Sequence, residues 1–374
     1  MPEDVLKGNP LQLTNTPLPA FSLRVLFRLL VKARFKIWPQ YLPRLLYALC
    51  LSLFMTPFRV VERIRYKQAI QNTEIKKGPI FILGYWRSGT TYLHRLLALD
   101  KNLGFFSTFQ AYMATIFLGF EKIFKPLVIS SIPEKRPMDD VRMDADYPQE
   151  DTYALGSSSF HSFYHGWCFP REMDFFNDLL CMENVSPDVV EEWKTKYLYF
   201  LKKITLYHKG KQLVLKNQDN TAKIRFILKL FPDAKFVYIT RNPYHQYLSM
   251  VKFTSKVLPR YCVQKPPGLK EVGEAILSLY ERMLQKYLQD KKLIPAGNLV
   301  EMKYEDLITD PQTEMKRIYS GLGLDGFSDS EAAFQNFIES QKEVKLSSYE
   351  ISPDLKEKIN QRWQAAFKEF GYES

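Results

Sequence analysis

One segment of the sequence combines residue types and spacing that suit the binding of an anion. Residues 84–91 read GYWRSGTT, and they follow a short apolar run at 79–83. A strand, a tight loop and a helix N-terminus direct several backbone N–H groups at one point, and the helix dipole adds to their attraction for negative charge. Two glycines permit backbone geometry that a Cβ atom would block, and Ser88, Thr90 and Thr91 add hydroxyl donors. The segment therefore predicts a phosphate-binding loop in an enzyme.

The loop departs from that of nucleoside triphosphatases. The spacing from Gly84 to Gly89 is that of a Walker A motif, GxxxxGK[ST], but Thr90 stands where the motif has lysine, and the only cation in the loop is Arg87. A Walker B strand ends in an aspartate that holds magnesium, whereas the later apolar run AKFVYIT leads into Arg241. Two cations without a metal-binding carboxylate indicate an anionic group that side chains neutralise, and no metal ion is expected.

Three motifs together resemble the sulfotransferases that use 3′-phosphoadenosine 5′-phosphosulfate (PAPS). In that family the loop that binds the 5′-phosphosulfate reads [KR]SGTT, and the residues that match it here are Arg87, Ser88, Gly89, Thr90 and Thr91. The family's 3′-phosphate motif has Arg at a strand end and Ser eight residues later, which Arg241 and Ser249 match. A third family element, (R/K)YEDL, is present at 303–307, and the resemblance implies that Tyr304 lies near the adenine.

The resemblance covers about residues 77–372. Because its loop carries arginine, the sequence is similar to a bacterial-type branch of the family. It implies PAPS as co-substrate, an acceptor that bears a hydroxyl group, and 3′-phosphoadenosine 5′-phosphate as a product. Two other functions stay open from the residues alone. One is a P-loop kinase-like phosphotransferase, against which Thr90 and the missing aspartate argue. The other is a non-catalytic nucleotide-binding module.

Sulfuryl transfer, by analogy with phosphoryl transfer, needs cations on the group in transit and a base for the acceptor. Arg87 is the first choice for stabilising the leaving phosphate and the sulfuryl group, although an arginine stays charged and cannot act as a general acid. Lys216, in LVLKNQDNT, is placed like a lysine that contacts the sulfonate in related enzymes, and a surface lysine is the alternative. Cytosolic family members carry their catalytic base two residues later, where this chain has Gln218.

The base must therefore be sought elsewhere, and the acidic segment DADYPQEDTYAL offers the best candidates, Glu150 and Asp151. A base of this kind is usually a carboxylate or a histidine held in a cleft. A solvated acidic loop, or a cluster that pairs with Arg136 and Arg142, is the alternative reading of the segment. His161 and His165 in FHSFYHGW also remain open as bases. Lys345 is a further candidate for contact with the 3′-phosphate.

The surrounding pattern predicts the elements that position these residues. Short apolar runs at 79–83, 212–215, 234–240 and 298–302 predict strands, and a helical period follows at 92–99 and 221–231. Further helices are expected at about 311–321, 329–342 and 354–370. Alternation of strands and helices predicts a three-layer, P-loop-like α/β fold: a central parallel sheet flanked by helices, plus an N-terminal helical extension. The expected domains are 1–70 and 71–374.

The positive charge lies mainly in that extension. The formal net charge is +11, and residues 1–70 hold eleven Lys or Arg against three acidic residues. A charge confined to one end is not that of a nucleic-acid binder, which spreads basic patches over its folded part. The apolar run 45–58 has 14 residues, fewer than the roughly 20 that span a bilayer. Two interpretations stay open: helices lying on an anionic membrane surface, or a helical cap packed on the main domain.

The compartment follows from smaller signals. The four cysteines, Cys50, Cys168, Cys181 and Cys262, are far apart and form no metal pattern, and the N-terminus does not read as a signal peptide. We expect a cytoplasmic enzyme, peripheral on the inner face of the membrane. The basic, apolar N-terminus and the aromatic residues around 105–124 favour a lipid or membrane-proximal acceptor.

Overall fold

The computed structural model describes residues 6, 8–9, 11, 13–14, 16–136, 141–341 and 351–374. The chain divides into two compact units. Unit 1 comprises Met1–Ile75, Phe106–Gly210 and Lys252–Gly273, and unit 2 comprises Lys76–Phe105, Lys211–Val251 and Glu274–Ser374. Unit 2 holds all the strands of the described residues, and unit 1 is helical.

The five strands of unit 2 form one parallel sheet. They are β1 (Ile80–Leu83), β2 (Leu103–Gly104), β3 (Gln212–Lys216), β4 (Lys235–Thr240) and β5 (Leu299–Lys303). Their order is β2-β3-β1-β4-β5, and Ile82 of β1 lies in register with Lys216 on one side and Val237 on the other. The strand order reverses at β1, and ligands of open α/β sheets bind outside the carboxyl ends of the strands at such a point.

The strands are nearly uninterrupted apolar runs because both faces of the sheet are covered. Ile80 and Ile82 enter a core that includes Leu93, Leu96 and Leu97 of the following helix. Phe81 points to the opposite face, where its ring stacks on that of Phe236 at 5.6 Å between centroids. The predicted α/β fold with a central parallel sheet is confirmed.

Sixteen α-helices occur among the described residues. In chain order they are α1 (Leu23–Lys32), α2 (Leu42–Asn72), α3 (Thr90–Leu97), α4 (Thr108–Tyr112), α5 (Phe117–Ser131), α6 (Thr152–Ser158), α7 (Met173–Cys181), α8 (Pro187–Tyr207), α9 (Ile224–Leu230), α10 (Pro243–Tyr261), α11 (Leu269–Asp290), α12 (Tyr304–Thr309), α13 (Pro311–Leu322), α14 (Phe327–Ser340), α15 (Pro353–Arg362) and α16 (Gln364–Phe370).

Two predicted helices differ from the observed ones. The helix expected at 221–231 begins only at Ile224, because residues 218–222 form a 3₁₀ turn. The side chain of Asn217 caps this turn by accepting a hydrogen bond from the backbone N–H of Asp219. The helix expected at 354–370 is broken at Trp363. This residue is buried, its indole N–H donates to the carbonyl oxygen of Leu277, and its ring stacks on that of Tyr280 at 4.0 Å. The fit of one large side chain therefore decides the break.

A buried ion pair joins three helices of unit 1. Lys203 of α8 lies 2.5 Å from Glu62 of α2, and both side chains are at most 1% exposed. The second oxygen of Glu62 accepts from the backbone N–H of Gly119, 2.8 Å away at the start of α5. The ammonium group also donates to the carbonyl oxygen of Ala114 at 2.6 Å and lies over the ring of Phe117. The pair thus satisfies a helix N-terminus as well as its own charges.

Candidate active site

The loop after β1 requires glycine at two positions. Gly84 has φ +142°, and a Cβ atom there would lie 2.5 Å from the carbonyl oxygen of Ile239. Gly89, the N-cap of α3, has φ +96°, and its Cβ would lie 2.2 Å from Cδ2 of Tyr304. The loop is therefore pressed against β4 on one side and against an aromatic ring on the other, and only a residue without a side chain fits either place.

Thr221 fastens the start of this loop. The backbone N–H of Gly84 donates to Oγ1 of Thr221 at 2.9 Å, and the threonine hydroxyl donates back to the carbonyl oxygen of Gly84 at 3.2 Å. The sequence offers no signal for this role, because the two residues are 137 positions apart. The contact exists only because β1 and β3 are neighbours in the sheet.

Four of the predicted site residues are in contact in unit 2, three of them through hydrogen bonds. Nε of Arg87 donates to Oγ of Ser249 at 3.0 Å, and Nη1 of Arg241 donates to the backbone carbonyl oxygen of Arg87 at 3.1 Å. The guanidinium of Arg241 also lies 4.7 Å from the ring centre of Tyr304. Arg241 directly follows β4, and Ser249 lies in α10. Residues from three distant segments thus surround the loop with two cations, a hydroxyl and an aromatic ring.

The backbone of Arg87 is strained, with φ +69°. A non-glycine residue in this region is uncommon, and such strain persists where the surrounding structure enforces it. Here the enforcing contacts are those of its own carbonyl oxygen and side chain with Arg241 and Ser249. Burial raises the pKa of Tyr304, and the charges of Arg241 and Arg87 oppose that rise. Both guanidinium charges therefore lie close enough to Tyr304 to favour the ionised form of its hydroxyl group.

Lys216 is the last residue of β3 and is only 2% exposed, so the alternative of a surface lysine does not hold. Its Nζ lies 3.5 Å from Oγ1 of Thr91 in the first turn of α3. Gln218, two residues later, directs its amide towards Oγ1 of Thr90 at 3.4 Å. Burial, and then the charge of Lys216, lowers the pKa of His94 well below its ordinary value. A third cation thus stands at the loop, next to the hydroxyls of Thr90 and Thr91.

The carboxylate candidates lie in unit 1. Asp151 is 2% exposed and accepts a short hydrogen bond from the hydroxyl of Tyr197. Glu150 is half-buried. Burial raises the pKa values of Tyr112, Tyr153 and Tyr261, and the negative charge of Glu150 adds to the rise in all three. Glu150 therefore stands among tyrosines, and Asp151 is enclosed.

The rest of the acidic segment makes local contacts. Asp144 accepts from the backbone N–H of Asp146 at 2.8 Å, and Asp146 pairs with Lys125 at 2.6 Å. Asp144 and Asp146 are therefore engaged in local contacts of the segment. Glu150 and Asp151 are the remaining carboxylates of the segment to consider as a catalytic base.

The two histidines of FHSFYHGW are held within unit 1. Both ring nitrogens of His165 face backbone carbonyls, those of Phe160 at 3.1 Å and Gly156 at 3.0 Å, and burial lowers the pKa of His165 to about 4. His161 lies 3.1 Å from Glu192, and burial lowers its pKa in spite of that carboxylate. His165 is thus enclosed by backbone carbonyls. Lys345 lies outside the described residues.

Within the part of the chain that the structure describes, no group of three or more His, Cys, Asp or Glu side chains is arranged to hold a metal ion. The charges at the loop come from Arg87, Arg241 and Lys216.

Comparisons with known proteins agree on one family. A family model described as the sulfotransferase family matches residues 79–329. The omega-hydroxy-beta-dihydromenaquinone-9 sulfotransferase Stf3 of Mycobacterium bovis is 28% identical over 346 residues, which are 92% of this chain and 88% of the relative. The protein of the same name from Mycobacterium tuberculosis gives the same figures.

Two solved structures share the fold. Sulfotransferase STF1 from Mycobacterium tuberculosis H37Rv superposes with a TM-score of 0.63 at 19% identity, covering 91% of this chain and 92% of that one. Sulfotransferase STF9 from Mycobacterium avium superposes with a TM-score of 0.66 at 18% identity, covering 95% of this chain and 88% of that one. At these identities the likeness concerns the fold alone.

Proposed function

Because this chain belongs to the sulfotransferase family, we propose that it transfers the sulfuryl group of PAPS to the hydroxyl group of a lipid-like acceptor. The products are the sulfated acceptor and 3′-phosphoadenosine 5′-phosphate. The observation that carries the proposal is the group around the RSGTT loop. Arg87 contacts both Ser249 and Arg241, and Arg241 contacts Tyr304, although the loop, the segment 241–249 and Tyr304 are far apart in sequence.

The nucleotide uses this group as follows in the proposal. The backbone N–H groups and hydroxyls of the loop bind the 5′-phosphosulfate, and the residues concerned are Arg87, Ser88, Gly89, Thr90 and Thr91. Arg241 and Ser249 bind the 3′-phosphate, since an arginine fork and a hydroxyl are suited to phosphate oxygens. Tyr304 supports the adenine. The hydrogen bond between Arg87 and Ser249 supports placing the two anionic ends of one nucleotide within reach of a common set of donors.

In the reaction, the bond between sulfur and the bridging phosphate oxygen breaks, and that oxygen keeps the electron pair. A new bond forms between sulfur and the acceptor oxygen, whose proton passes to a base. Negative charge collects on the bridging oxygen and on the sulfuryl oxygens, where fixed cations lower the barrier. We assign that work to Arg87 and Lys216, because both stand at the loop and Lys216 is buried, where its charge is little screened.

Glu150 is the base that we propose, ahead of Asp151. The carboxylate of Asp151 is enclosed and bound by Tyr197, whereas Glu150 is half-buried and lies among Tyr112, Tyr153 and Tyr261. An acceptor molecule that carries its hydroxyl group on an apolar skeleton suits aromatic surroundings of this kind. The relatives from Mycobacterium are named for sulfation of a hydroxylated menaquinone derivative, which supports a hydroxylated lipid as the acceptor here.

A cytoplasmic place of action is part of the proposal. None of the four cysteines is in a disulfide bond, and cysteines without disulfide bonds are usual in a reducing compartment.

Nucleotide titration tests the proposal. We expect 3′-phosphoadenosine 5′-phosphate to raise the thermal midpoint of the purified protein at micromolar concentration without magnesium, and Arg241→Ala to abolish the rise. ATP with magnesium is the comparison, and a preference for it would overturn the assignment. Turnover of labelled PAPS with a hydroxylated quinone or prenyl alcohol then separates an enzyme from a binding module, which would bind the nucleotide and transfer nothing.

A further inference from the structure

Helix α2 of unit 1 exposes large apolar residues although it buries polar ones. Its buried side carries Arg44, Ser52 and Glu62, each at most 1% exposed, together with the apolar residues Leu45, Ala48, Met55 and Ile70. Its outer side carries large apolar side chains that are between 47% and 73% exposed, namely Leu42, Leu46, Leu53, Phe54, Val60, Val61 and Ile64. A surface helix of a globular protein ordinarily shows the opposite arrangement. Exposed apolar residues that form one continuous patch mark a contact surface.

The outer residues recur at steps of three, four and seven and so form one stripe along the helix. From Leu42 to Ile64 the stripe is about 33 Å long at the α-helical rise. Three cations lie inside this stretch. Arg44 is buried, and Arg59 donates to Oγ of Ser52 at 2.9 Å and to the carbonyl oxygens of Ala20 and Phe21. From Leu42 to Val61 the stripe therefore presents no exposed charge, and the first exposed cation is Arg63.

Two helices that pack on α2 expose large apolar residues of their own. Helix α5 packs on α2 through the ring of Phe58, which meets Phe120 at 5.2 Å and Phe124 at 5.0 Å. It exposes Ile123, Leu127 and Ile129 by more than half. Helix α1 packs on α2 as well and exposes Phe27 and Val31. We call this combined surface of α1, α2 and α5 the apolar face.

Basic residues accompany the apolar face. Arg24, Lys32, Arg34 and Lys36 are exposed in and after α1, and Arg63, Arg65 and Lys67 are exposed near the end of α2. The only acidic residue between positions 16 and 73 is Glu62, which is buried in its ion pair with Lys203. The exposed charges that α1 and α2 place beside the face are therefore all positive, whereas α5 carries Glu121 paired with Lys125. This predominance of positive charge is complementary to a surface of negative lipid headgroups.

We propose that the apolar face docks on an anionic lipid bilayer, with α2 lying in the plane of the interface. Helix Pro39–Asn72 has the length and composition of a membrane span, and 28% of its most apolar window is buried. A spanning position would place Arg44 and Glu62 in hydrocarbon and separate them from their partners in unit 1, at a large cost in free energy. An in-plane position keeps these contacts and covers only the outer stripe.

Vesicle flotation in the absence of PAPS tests docking separately from catalysis. The probe is a set of vesicles made of equimolar phosphatidylcholine and phosphatidylglycerol, with pure phosphatidylcholine vesicles as the comparison. We expect the full chain to float with the anionic vesicles. The double variant Leu53→Glu/Phe54→Glu should bind roughly tenfold or more weakly, because two charges enter the apolar stripe. Leu293→Glu, at a residue of unit 2 that is 54% exposed, is the matched control and should float like the unaltered protein.

The charge contribution has its own variant. Arg63→Gln/Arg65→Gln/Lys67→Gln should weaken binding to anionic vesicles by roughly fivefold per removed cation and should barely change binding to neutral ones.

Three outcomes would overturn the proposal. The full chain does not float with anionic vesicles; Leu53→Glu/Phe54→Glu floats as well as Leu293→Glu; or the full chain is a dimer in solution that Leu53→Glu/Phe54→Glu dissociates, in which case a second copy covers the face. Nucleotide binding is unchanged in every one of these outcomes, so they leave the proposed function intact.

Discussion

At the scale of single residues, the site depends on close approach. Gly89 has φ +96°, and a Cβ atom there would lie 2.2 Å from Cδ2 of Tyr304, which in turn carries Arg241 over its ring. A methyl group at this position must displace the tyrosine or the loop. The contact joins the loop that we assign to the 5′-phosphosulfate to the residues that we assign to the adenine and the 3′-phosphate.

Gly89→Ala should therefore weaken the binding of 3′-phosphoadenosine 5′-phosphate by roughly tenfold or more, as measured by titration calorimetry. The expected loss combines backbone strain of about 1 kcal/mol or more with the displaced ring. Gly297→Ala is the matched control: Gly297 also has positive φ, at +80°, but nothing lies within 4 Å of its Cβ position. It should lose stability without losing nucleotide affinity. Equal affinities of the two variants would show that the contact with Tyr304 has no part in binding.

The base can be tested by removing one charge at a time. Glu150→Gln should lower kcat by roughly two to four orders of magnitude, the usual contribution of a general base, and should leave the KM for PAPS nearly unchanged. Asp151→Asn is the comparison, because it keeps an acceptor for the hydroxyl of Tyr197 and should lower kcat far less. The reverse ranking of the two kcat values would transfer the role to Asp151.

At the scale of elements, the helices of unit 1 are held by polar contacts that sequence patterns do not display. Glu62 and Lys203 look like ordinary surface charges in the sequence, yet they form a buried pair that caps α5. Burial lowers the pKa of Lys203 to about 8, although Glu62 favours the charged form. The pair is one of the contacts that fix which side of α2 faces inward and which faces outward.

Lys203→Met should lower the free energy of unfolding by about 3 kcal/mol at neutral pH, because it leaves Glu62 buried without its partner. Lys203→Met/Glu62→Gln should recover part of the loss, since the amide oxygen still caps α5. Between about pH 8 and the ordinary value of 10.5, the unfolded chain binds the Lys203 proton and the folded chain does not. The contribution of Lys203 to stability therefore rises with pH in this window. The gap between the unaltered protein and Lys203→Met should widen in denaturant titrations at rising pH, and a narrowing gap would contradict the proposed state of the pair.

At the scale of the whole chain, most of the sheet and the family membership can be predicted from the sequence. The runs at 79–83, 212–215, 234–240 and 298–302 are strands β1, β3, β4 and β5 within one residue at each end. Parallel strands buried on both faces must be continuous apolar runs, so the signal is local and strong. Among the strands of the described residues, β2 alone has no such run, because it is two residues long, and the sequence does not predict it. The membership in the sulfotransferase family is likewise contained in short motifs.

Side-chain partners and the use of surfaces are decided by tertiary structure. The sequence indicates Arg87, Arg241 and Ser249 as a set, but only the sheet order brings them together with Tyr304 and adds Thr221 to the loop. Lys216 could be a surface lysine or a site residue until the strand that carries it is seen to be buried. An apolar run such as 45–58 has the same appearance whether its residues enter a core or face outward. In the structure the run does both, because Leu45, Ala48 and Met55 are buried whereas Leu46, Leu53 and Phe54 face outward, and only the packing of α2 on its neighbours decides which residue does which.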